Sequence, residues 1–216
     1  MKRAGQRFVI LGPPGAGKGT QALQLSDYYG WAHISTGEIL REAMEKGSPL
    51  GEKVKSFVES GDLVPDTLIS EIVEQRLKEP DCRQGFILDG FPRTVAQARL
   101  LASSLQNLGQ ELDGVIYLHV DDEVIIRRLS QRFVCTECGN LVVSGEGKKT
   151  ACDKCGGELK RRTDDSPETV KHRLSVYREK TEPLIGYYEE KNLLLRIDGL
   201  GDIGEIFEQI QRKVVG

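Results

Sequence analysis

A glycine-rich segment near the start of the chain has the residue types and spacing of a phosphate-binding loop. It reads GPPGAGKGT over residues 12–20 and directly follows the apolar run 8–11. Glycines let successive backbone N–H groups converge on a phosphate, the N-terminus of a following helix adds its positive end, and Lys18 adds a full charge. Many such loops have Ser or Thr where this chain has Gly19, and here the hydroxyl comes one position later, at Thr20. An ordinary glycine-rich turn is the alternative, but the apolar run before the segment and the helical pattern after it favour nucleoside triphosphate binding.

Arginines and one aspartate further along the chain could recognise a second anion, which matters because a phosphate loop alone leaves hydrolases, switches and kinases open. Asp89 follows the apolar run 86–88, and ligand sites open at such strand ends in α/β sheets. A carboxylate there can hold Mg²⁺ through water, although it could also cap the strand end. Guanidinium groups bind phosphate through paired hydrogen bonds, and several are needed to gather two anions against their repulsion. The arginines that lie in loops or beside glycine, proline or acidic residues are Arg41, Arg93, Arg132, Arg162 and Arg173.

Four of the five cysteines form two Cys-x-x-Cys pairs separated by thirteen residues, Cys135 with Cys138 and Cys152 with Cys155. Each pair is followed by glycine, which lets the backbone turn so that both thiolates face one ion. Four thiolates make a closed tetrahedral site, which is structural, and zinc is favoured over iron. In a reducing compartment such pairs favour metal over a disulfide. The fifth cysteine, Cys82, has no partner in sequence and is interpreted as a packing residue.

The elements that must position these residues alternate between strands and helices. Residues 133–161 interrupt the alternation with glycine, lysine and the paired cysteines, and we interpret them as an inserted module. Strands alternating with helices indicate an α/β fold with a parallel sheet. The predicted strands are 8–11, 86–89, 115–120 and 193–197, and the predicted helices are 18–29, 36–46, 50–59, 66–79, 94–106, 123–132, a long helix from Pro167, and 202–213.

Composition and charge exclude other classes of protein. Of the 216 residues, 38% are hydrophobic and 29% charged, as in a globular protein, and no stretch approaches the roughly 18 apolar residues that span a bilayer. The net charge of −3 gives no sign of the basic face that nucleic-acid binding requires. The short polar N-terminus lacks the core of a signal peptide. We therefore expect a cytoplasmic protein without a membrane or nucleic-acid partner.

The chain resembles the adenylate kinase family over essentially its whole length. The resemblance rests on four segments that occur in this order along the chain. They are Gly-Lys-Gly-Thr at 17–20, Ser-Thr-Gly at 35–37, Asp-Gly-Phe-Pro-Arg-Thr at 89–94 and Arg-Thr-Asp-Asp at 162–165. The resemblance implies reversible phosphoryl transfer from MgATP to AMP, giving two ADP, by a monomer. Mg²⁺ would act with ATP, and the cysteine insert would hold a structural Zn²⁺, as in some members of the family.

The resemblance also implies a division of the chain into three parts. A P-loop NTPase-like core, with helices on both faces of its parallel sheet, would comprise residues 1–34, 65–131 and 163–216. Two sub-domains would be inserted in it: a nucleoside-monophosphate-binding insert at 35–64 and a lid at 132–162. Lid closure would exclude water from the transfer.

The resemblance further implies roles for individual residues, and these are expectations at this stage. Lys18, Asp89, Arg93, Arg132, Arg162 and Arg173 would be catalytic, and Asp164 and Asp165 would help to close the lid. ATP would contact Gly15, Ala16, Gly17, Lys18, Gly19, Thr20, Arg132, Leu141, Val142 and Gly201. AMP would contact Thr36, Arg41, Asp62, Leu63, Val64, Gly90, Phe91, Pro92, Arg93, Gln97, Arg162 and Arg173.

Three features of these sets bear on the recognition of the two bases. Gln97 lies at i+4 from Arg93, so both side chains share a helix face, and its amide could read the adenine edge with one donor and one acceptor. The segment that flanks the ATP base often carries an aromatic residue in the family, whereas this chain has Leu141-Val142. Gly201, where the last adenine contact would fall, can offer only backbone.

Two alternative functions remain open on the sequence. A relative that uses GTP or accepts another nucleoside monophosphate would share the same motifs, because the donor base is not determined by them. A zinc-ribbon nucleic-acid-binding protein switched by a nucleoside triphosphate has support only from Lys148-Lys149 and Lys160-Arg161-Arg162, and the acidic net charge opposes it.

Overall fold

The computed structural model describes residues 5–143 and 149–215. Residues 1–4 and 216 of the expected core, and residues 144–148 of the expected lid, which include Lys148 of the basic pair noted above, lie outside this part of the chain. In chain order the strands are β1 (Arg7–Leu11), β2 (Ala32–Ser35), β3 (Phe86–Asp89), β4 (Gly114–His119), β5 (Arg132–Cys135), β6 (Leu141–Val143), β7 (Leu159–Lys160) and β8 (Leu194–Asp198). The helices are α1 (Lys18–Tyr29), α2 (Thr36–Glu45), α3 (Pro49–Ser60), α4 (Asp66–Leu77), α5 (Val95–Asn107), α6 (Asp122–Ser130), α7 (Pro167–Val176), α8 (Pro183–Glu189) and α9 (Ile203–Val215).

Within the described residues, the central sheet is entirely parallel and has the strand order β2-β3-β1-β4-β8. Side chains alternate between the two faces of a strand, so Val9 and Leu11 of β1 pack with α4, α5 and α8, while Phe8 and Ile10 pack with α1, α6, α7 and α9. Helices therefore cover both faces, which confirms the α/β fold expected from the sequence. None of these helices, in the described part of the chain, could span a membrane.

The strand β2 was not predicted, because polar His33 and Ser35 interrupt its short apolar run. It forms by pairing with the edge of β3, with Ser35 in register with Asp89. This pairing is a long-range contact that no local pattern reports. Its consequence is that β2 and β3 both end at the same edge of the sheet, beside the end of β1.

The long helix predicted from Pro167 is divided in the structure. After α7 ends at Val176, residues 177–181 form a π-helical turn, and α8 begins at Pro183. Proline has no N–H to continue the α-helical hydrogen bonds, so the register changes just before it. The turn places buried Thr181 against the loop that follows β3, where its hydroxyl donates to the backbone oxygen of Arg93 at 2.9 Å.

Residues 132–160 contain a second, antiparallel sheet with the order β6-β5-β7. The helix predicted to reach about Arg132 ends earlier, at Ser130, and Arg132 opens β5 instead. A small apolar cluster, distinct from the two that cover the central sheet, holds this sheet together, and Phe133 packs against it. Its buried members are Cys135, Val142, Cys152 and Leu159.

Candidate functional site

The phosphate-binding loop connects β1 to α1 and bends through conformations that favour glycine. Gly12, Gly15 and Gly17 have φ angles of 146°, 84° and 94°. Gly15 also has no room for a side chain, since a Cβ atom would lie 2.8 Å from Cγ of Leu129. Lys18, the first residue of α1, folds back over this loop and donates hydrogen bonds from Nζ to the backbone oxygens of Gly12 and Pro13, at 2.8 and 2.9 Å. These carbonyls hold the ammonium group at the mouth of the loop.

The surroundings of Lys18 disfavour the protonated, charged form of its side chain. Burial is the largest cause that lowers the pKa of the ammonium group, Asp89 opposes it, and the nearby guanidinium groups of Arg93, Arg173 and Arg132 add to it, which together bring the pKa to about 8. Positive groups thus outnumber negative ones around this amine. Such an excess of buried positive charge is the condition under which an anionic ligand binds strongly.

Asp89 lies at the carboxyl end of β3 and borders the phosphate-binding loop. One of its oxygens would be 3.2 Å from a Cβ atom at Gly19, so the glycine found where other loops have Ser or Thr leaves room for this carboxylate. The imidazole of His33 is 4.0 Å away. Burial alone would raise the pKa of Asp89, but His33, Lys18 and Arg93 together keep it below its ordinary value. The carboxylate is therefore ionised, as a ligand for a hydrated cation requires.

Arginines from distant segments converge beside Lys18. Arg93 donates from Nε to the backbone oxygen of Gly90 at 2.8 Å, and burial, followed by repulsion from Arg173, lowers its pKa to about 10. Burial, followed by repulsion from Arg41 and Arg132, lowers the pKa of Arg162 to about 10 as well. These groups repel one another because they are gathered in a small volume, which is the arrangement expected of a site for two phosphates.

Two aspartates that follow the antiparallel sheet, Asp164 and Asp165, bind part of this arginine cluster. Arg132 makes a bidentate pair with Asp165, with N–O distances of 2.8 and 2.6 Å. Arg173 donates from Nη1 to a carboxylate oxygen of Asp164 at 3.0 Å and of Asp165 at 3.2 Å. Both carboxylates are buried. Asp164 and Asp165 thus hold the arginines in place.

Two clefts meet at this cluster. The first, with about 610 Å³ of space between protein atoms, lies between α2, α3 and the loop after β3, and its walls include Thr36, Arg41 and Gln97. The second, with about 530 Å³ including the solvent at its opening, is lined by Lys18 and by Gly12 and Pro14 of the phosphate-binding loop. Residues found in both walls are Gly61, Leu63, Gly90, Arg93 and Arg173.

The expected AMP-binding residues do not all line one cleft in this geometry, and Arg162 lines neither of the two. Most line the first cleft, and Pro92 lines the second, whereas Phe91 is only 1% exposed and packs in the core. Those in the first cleft are Thr36, Arg41, Asp62, Leu63, Val64, Gly90, Arg93, Gln97 and Arg173.

Gln97 is buried at the floor of the first cleft, with 2% of its surface exposed. Its Oε1 accepts a hydrogen bond from the backbone N–H of Arg93 at 2.7 Å, and its Nε2 donates to Asp66 at 2.7 Å. A side-chain amide has two acceptor positions and two N–H groups, so one of each remains for a ligand.

On the other side of the phosphate-binding loop lies Arg128, an arginine beside the cysteine insert to which the sequence assigned no site role. It donates to the backbone oxygen of Gly199 at 3.1 Å and to that of Ala16 at 3.5 Å, so it bridges this loop and the connection between β8 and α9. Gly201 lies in that connection, with a φ angle of 113°. Leu141 and Val142 lie in β6, where Val142 is buried in the small cluster of the antiparallel sheet.

The four paired cysteines lie together at the turns of the antiparallel sheet. Their sulfur atoms all fall within 4.8 Å of one another, with Cys135–Cys155, Cys138–Cys152 and Cys138–Cys155 distances of 3.4, 3.7 and 3.3 Å. Tetrahedral zinc with Zn–S bonds of about 2.3 Å places its sulfurs about 3.8 Å apart. The backbone N–H of Lys154 also points at a thiol, 3.4 Å from the sulfur of Cys152. The donor set and its dimensions fit zinc.

Comparison with known proteins points to one family. A family model described as adenylate kinase matches residues 10–193. An adenylate kinase of Kosmotoga olearia is 52% identical over 206 residues, which cover 94% of this chain and 96% of the relative. Adenylate kinases of Archaeoglobus fulgidus and Methanocella arvoryzae are each 48% identical, over 94% and 96% of this chain and 95% and 98% of their own.

Proposed function

The chain belongs to the adenylate kinase family, and we propose that it transfers a phosphoryl group from MgATP to AMP where its two clefts meet. One observation carries this proposal: Arg93 and Arg173 line both clefts, with Lys18 in one and Gln97 in the other. A kinase needs a place where donor and acceptor phosphates approach each other. This arrangement supports ATP in the cleft of the phosphate-binding loop and AMP in the cleft beside α2 and α3.

In the proposed reaction, an oxygen of the AMP phosphate attacks the γ-phosphorus of ATP. The new O–P bond forms as the bond from the γ-phosphorus to the bridging oxygen breaks, and ADP leaves with that oxygen. Little covalent work is required of the protein, so positioning and charge stabilisation dominate. Lys18 stabilises charge on the donor phosphates, while Arg93 and Arg173 hold the donor and acceptor groups together. Mg²⁺ would arrive with ATP and neutralise phosphate charge, and Asp89 would hold it through water.

We propose that Gln97 reads the base of AMP with its remaining donor and acceptor, and that Arg41 and Arg162 bind the phosphate. A site built to hydrogen-bond a base rejects analogues that cannot match it much more strongly than an apolar pocket does. For the donor base, Arg128 links the phosphate-binding loop to the connection that contains Gly201, and backbone atoms there would offer contacts that do not require an aromatic residue at Leu141.

Residues 132–162 would act as a lid, residues 35–64 as the acceptor insert, and the remainder as the core. Closure of the lid would bring Arg132 and Arg162 towards the phosphates and exclude water, which would otherwise compete as the acceptor. Zinc held by the four cysteines would stabilise the lid without entering the reaction, since four thiolates leave no open position on the ion.

A coupled assay across nucleoside triphosphate donors and nucleoside monophosphate acceptors tests the proposal. We expect ATP and AMP to give the highest kcat/KM, with an absolute requirement for Mg²⁺. Preference for GTP as donor, or for CMP, UMP or GMP as acceptor, would instead support a family member of different specificity. Absence of phosphoryl transfer with every pair would refute the proposal.

A further inference from the structure

We propose that Asp66 is a positioning residue that determines acceptor specificity: its carboxylate fixes the orientation of the Gln97 amide, so that the site takes a 6-aminopurine and rejects a 6-oxopurine. This inference rests on the proposed function, in which Gln97 reads the base of AMP. Asp66 lies behind Gln97, as seen from the acceptor cleft, and is absent from its lining.

Asp66 is bound to the start of α5 through both of its carboxylate oxygens. It is the first residue of α4, and its Oδ1 accepts from Nε2 of Gln97 at 2.7 Å. Its Oδ2 accepts from the hydroxyl of Thr94 at 3.1 Å. That hydroxyl caps α5 by accepting from the backbone N–H of Gln97 at 3.0 Å. The carboxylate is therefore held in one position relative to the Gln97 side chain.

The amide of Gln97 is fixed from two sides by groups of opposite character. An ionised carboxylate can only accept, so Asp66 requires the NH₂ end of the amide. The backbone N–H of Arg93 can only donate, so it requires the oxygen end, which it meets at 2.7 Å. A rotated amide would place oxygen against carboxylate and N–H against N–H, losing two hydrogen bonds, one of them to a charged group. Gln97 is 2% exposed, so water has little access to compensate.

The fixed orientation has a chemical consequence for the base. Adenine presents an amino donor at position 6 and an acceptor at N1, and these match an amide oxygen and an amide N–H respectively. Hypoxanthine presents an oxygen at position 6 and a donor at N1, so the same amide would face it with donor against donor and acceptor against acceptor. A glutamine free to rotate could serve both bases equally well. Asp66, together with the backbone of Arg93, removes that freedom.

The test compares AMP with IMP as acceptors, because the two differ at the edge in question. Asp66→Asn keeps the shape of the side chain, yet its own amide can either accept or donate, so only the backbone N–H of Arg93 still favours one orientation of the Gln97 amide. We expect the ratio of kcat/KM for AMP to that for IMP to fall by about tenfold or more, the equivalent of one lost orientation-dependent hydrogen bond. The change should appear in KM for the acceptor, while KM for ATP stays near its wild-type value. Glu71→Gln, at an exposed position of the same helix, is the matched control and should keep the wild-type ratio.

A second variant separates specificity from folding. Thr94→Val removes the other partner of the carboxylate but leaves the pair between Asp66 and Gln97, so it should lower the melting temperature and keep the AMP-to-IMP ratio. An unchanged ratio in Asp66→Asn, or an equal loss of kcat/KM for both acceptors, would overturn the inference. If Gln97→Leu reduces AMP selectivity while Asp66→Asn does not, this inference alone fails. If the wild-type enzyme does not phosphorylate AMP, the proposed function fails with it.

Discussion

The charged form of Lys18 is disfavoured by its surroundings when no ligand is bound, and this suits the residue to bind an anion. It is held by two backbone oxygens of its loop, and buried arginines repel it while Asp89 attracts it. The phosphates of a bound nucleotide would reverse this balance by supplying negative charge at short range. The residue is therefore suited to respond to charge that develops during the reaction.

Lys18→Met should reduce kcat on the order of a thousandfold or more, comparable to removing a key electrostatic contact in other enzymes. The apparent affinity for ATP should change much less, because the backbone N–H groups of the loop remain. Steady-state kinetics and a binding titration on the same preparation measure the two effects. Lys213→Met, at an exposed position of α9, is the control, and near-normal turnover in Lys18→Met would contradict the assignment of the loop.

The lowered pKa of Lys18, about 8 in the free protein, predicts a dependence on pH. The amine loses its proton as the pH rises through this value, so kcat/KM for ATP, which reports the free enzyme, should fall above about pH 8. Bound phosphates favour the charged form, so kcat should stay constant to higher pH. A pH profile of both constants measures this, and a kcat/KM that remains flat well above pH 8 would show that the charge of Lys18 is not limiting.

For single residues, the sequence identifies those that belong to recognisable motifs. It does not identify those whose role depends on contacts with residues distant in sequence. Lys18 and Arg93 could be found because they belong to recognisable segments. Asp66 could not, because its partner Gln97 is 31 residues away and the two meet only where α4 packs beside α5. Arg128 was visible as an arginine beside the cysteine insert, but its contact with Ala16 spans 112 residues.

Among the elements, the antiparallel sheet of residues 132–160 depends most on stabilisation beyond its own apolar packing. Its cluster of buried apolar residues is small, and two of the residues in that cluster are cysteines whose sulfurs face the other pair. A segment with so little core needs a metal or a disulfide to be stable. The cysteine spacing predicted that four thiols would lie together, and their sulfur atoms do so, whereas the three strands were not predicted, because short strands with glycine and lysine lack a periodic pattern.

The double variant Cys135→Ser/Cys138→Ser should remove zinc and lower the melting temperature by several degrees, as a loss of a few kcal/mol would. Activity well below that temperature should survive in good part and still require Mg²⁺. Metal analysis should find about one zinc per chain in the wild type and in the control Cys82→Ser, whose cysteine lies in the main core. If zinc removal abolished turnover while the melting curve stayed intact, the metal would be catalytic instead of structural.

For the molecule as a whole, the apolar clusters predict two levels of stability. The central sheet is covered on both faces by large clusters, while the antiparallel sheet has only its own small one. Regions with few buried contacts open at lower free energy than the global unfolding transition. Arg132, at the start of the antiparallel sheet, is linked through Asp165 to Arg173 of α7. These contacts are polar, so the apolar cluster of the antiparallel sheet stays separate from those of the central sheet.

Hydrogen exchange followed by mass spectrometry should therefore show amides of β5–β7 exchanging faster than those of β1, β3 and β4. A chelator should accelerate exchange in the antiparallel sheet further and leave the central strands unchanged, because metal binding contributes to the folding of that sheet alone. Chelation in the Cys135→Ser/Cys138→Ser variant, which has no zinc to lose, is the control. Uniform protection across both sheets, or loss of protection in β1 and β3 on chelation, would mean that the molecule opens as one unit.

The pairs that Arg132 and Arg173 make with Asp164 and Asp165 affect how a substrate arrives. Carboxylates at 2.6 to 3.2 Å cancel much of the field of these two arginines beyond the first few ångströms, so the two add little to the long-range steering of a phosphate in solution. The attraction becomes strong only when a ligand comes close enough to take the place of a carboxylate oxygen. Inorganic phosphate has no base that could bind beside Gln97. It would therefore have to displace the carboxylate oxygen without that additional binding energy. In the proposed site, the internal aspartates would make the contribution of Arg132 and Arg173 depend on close fit, which would favour a nucleotide over the other phosphates in solution.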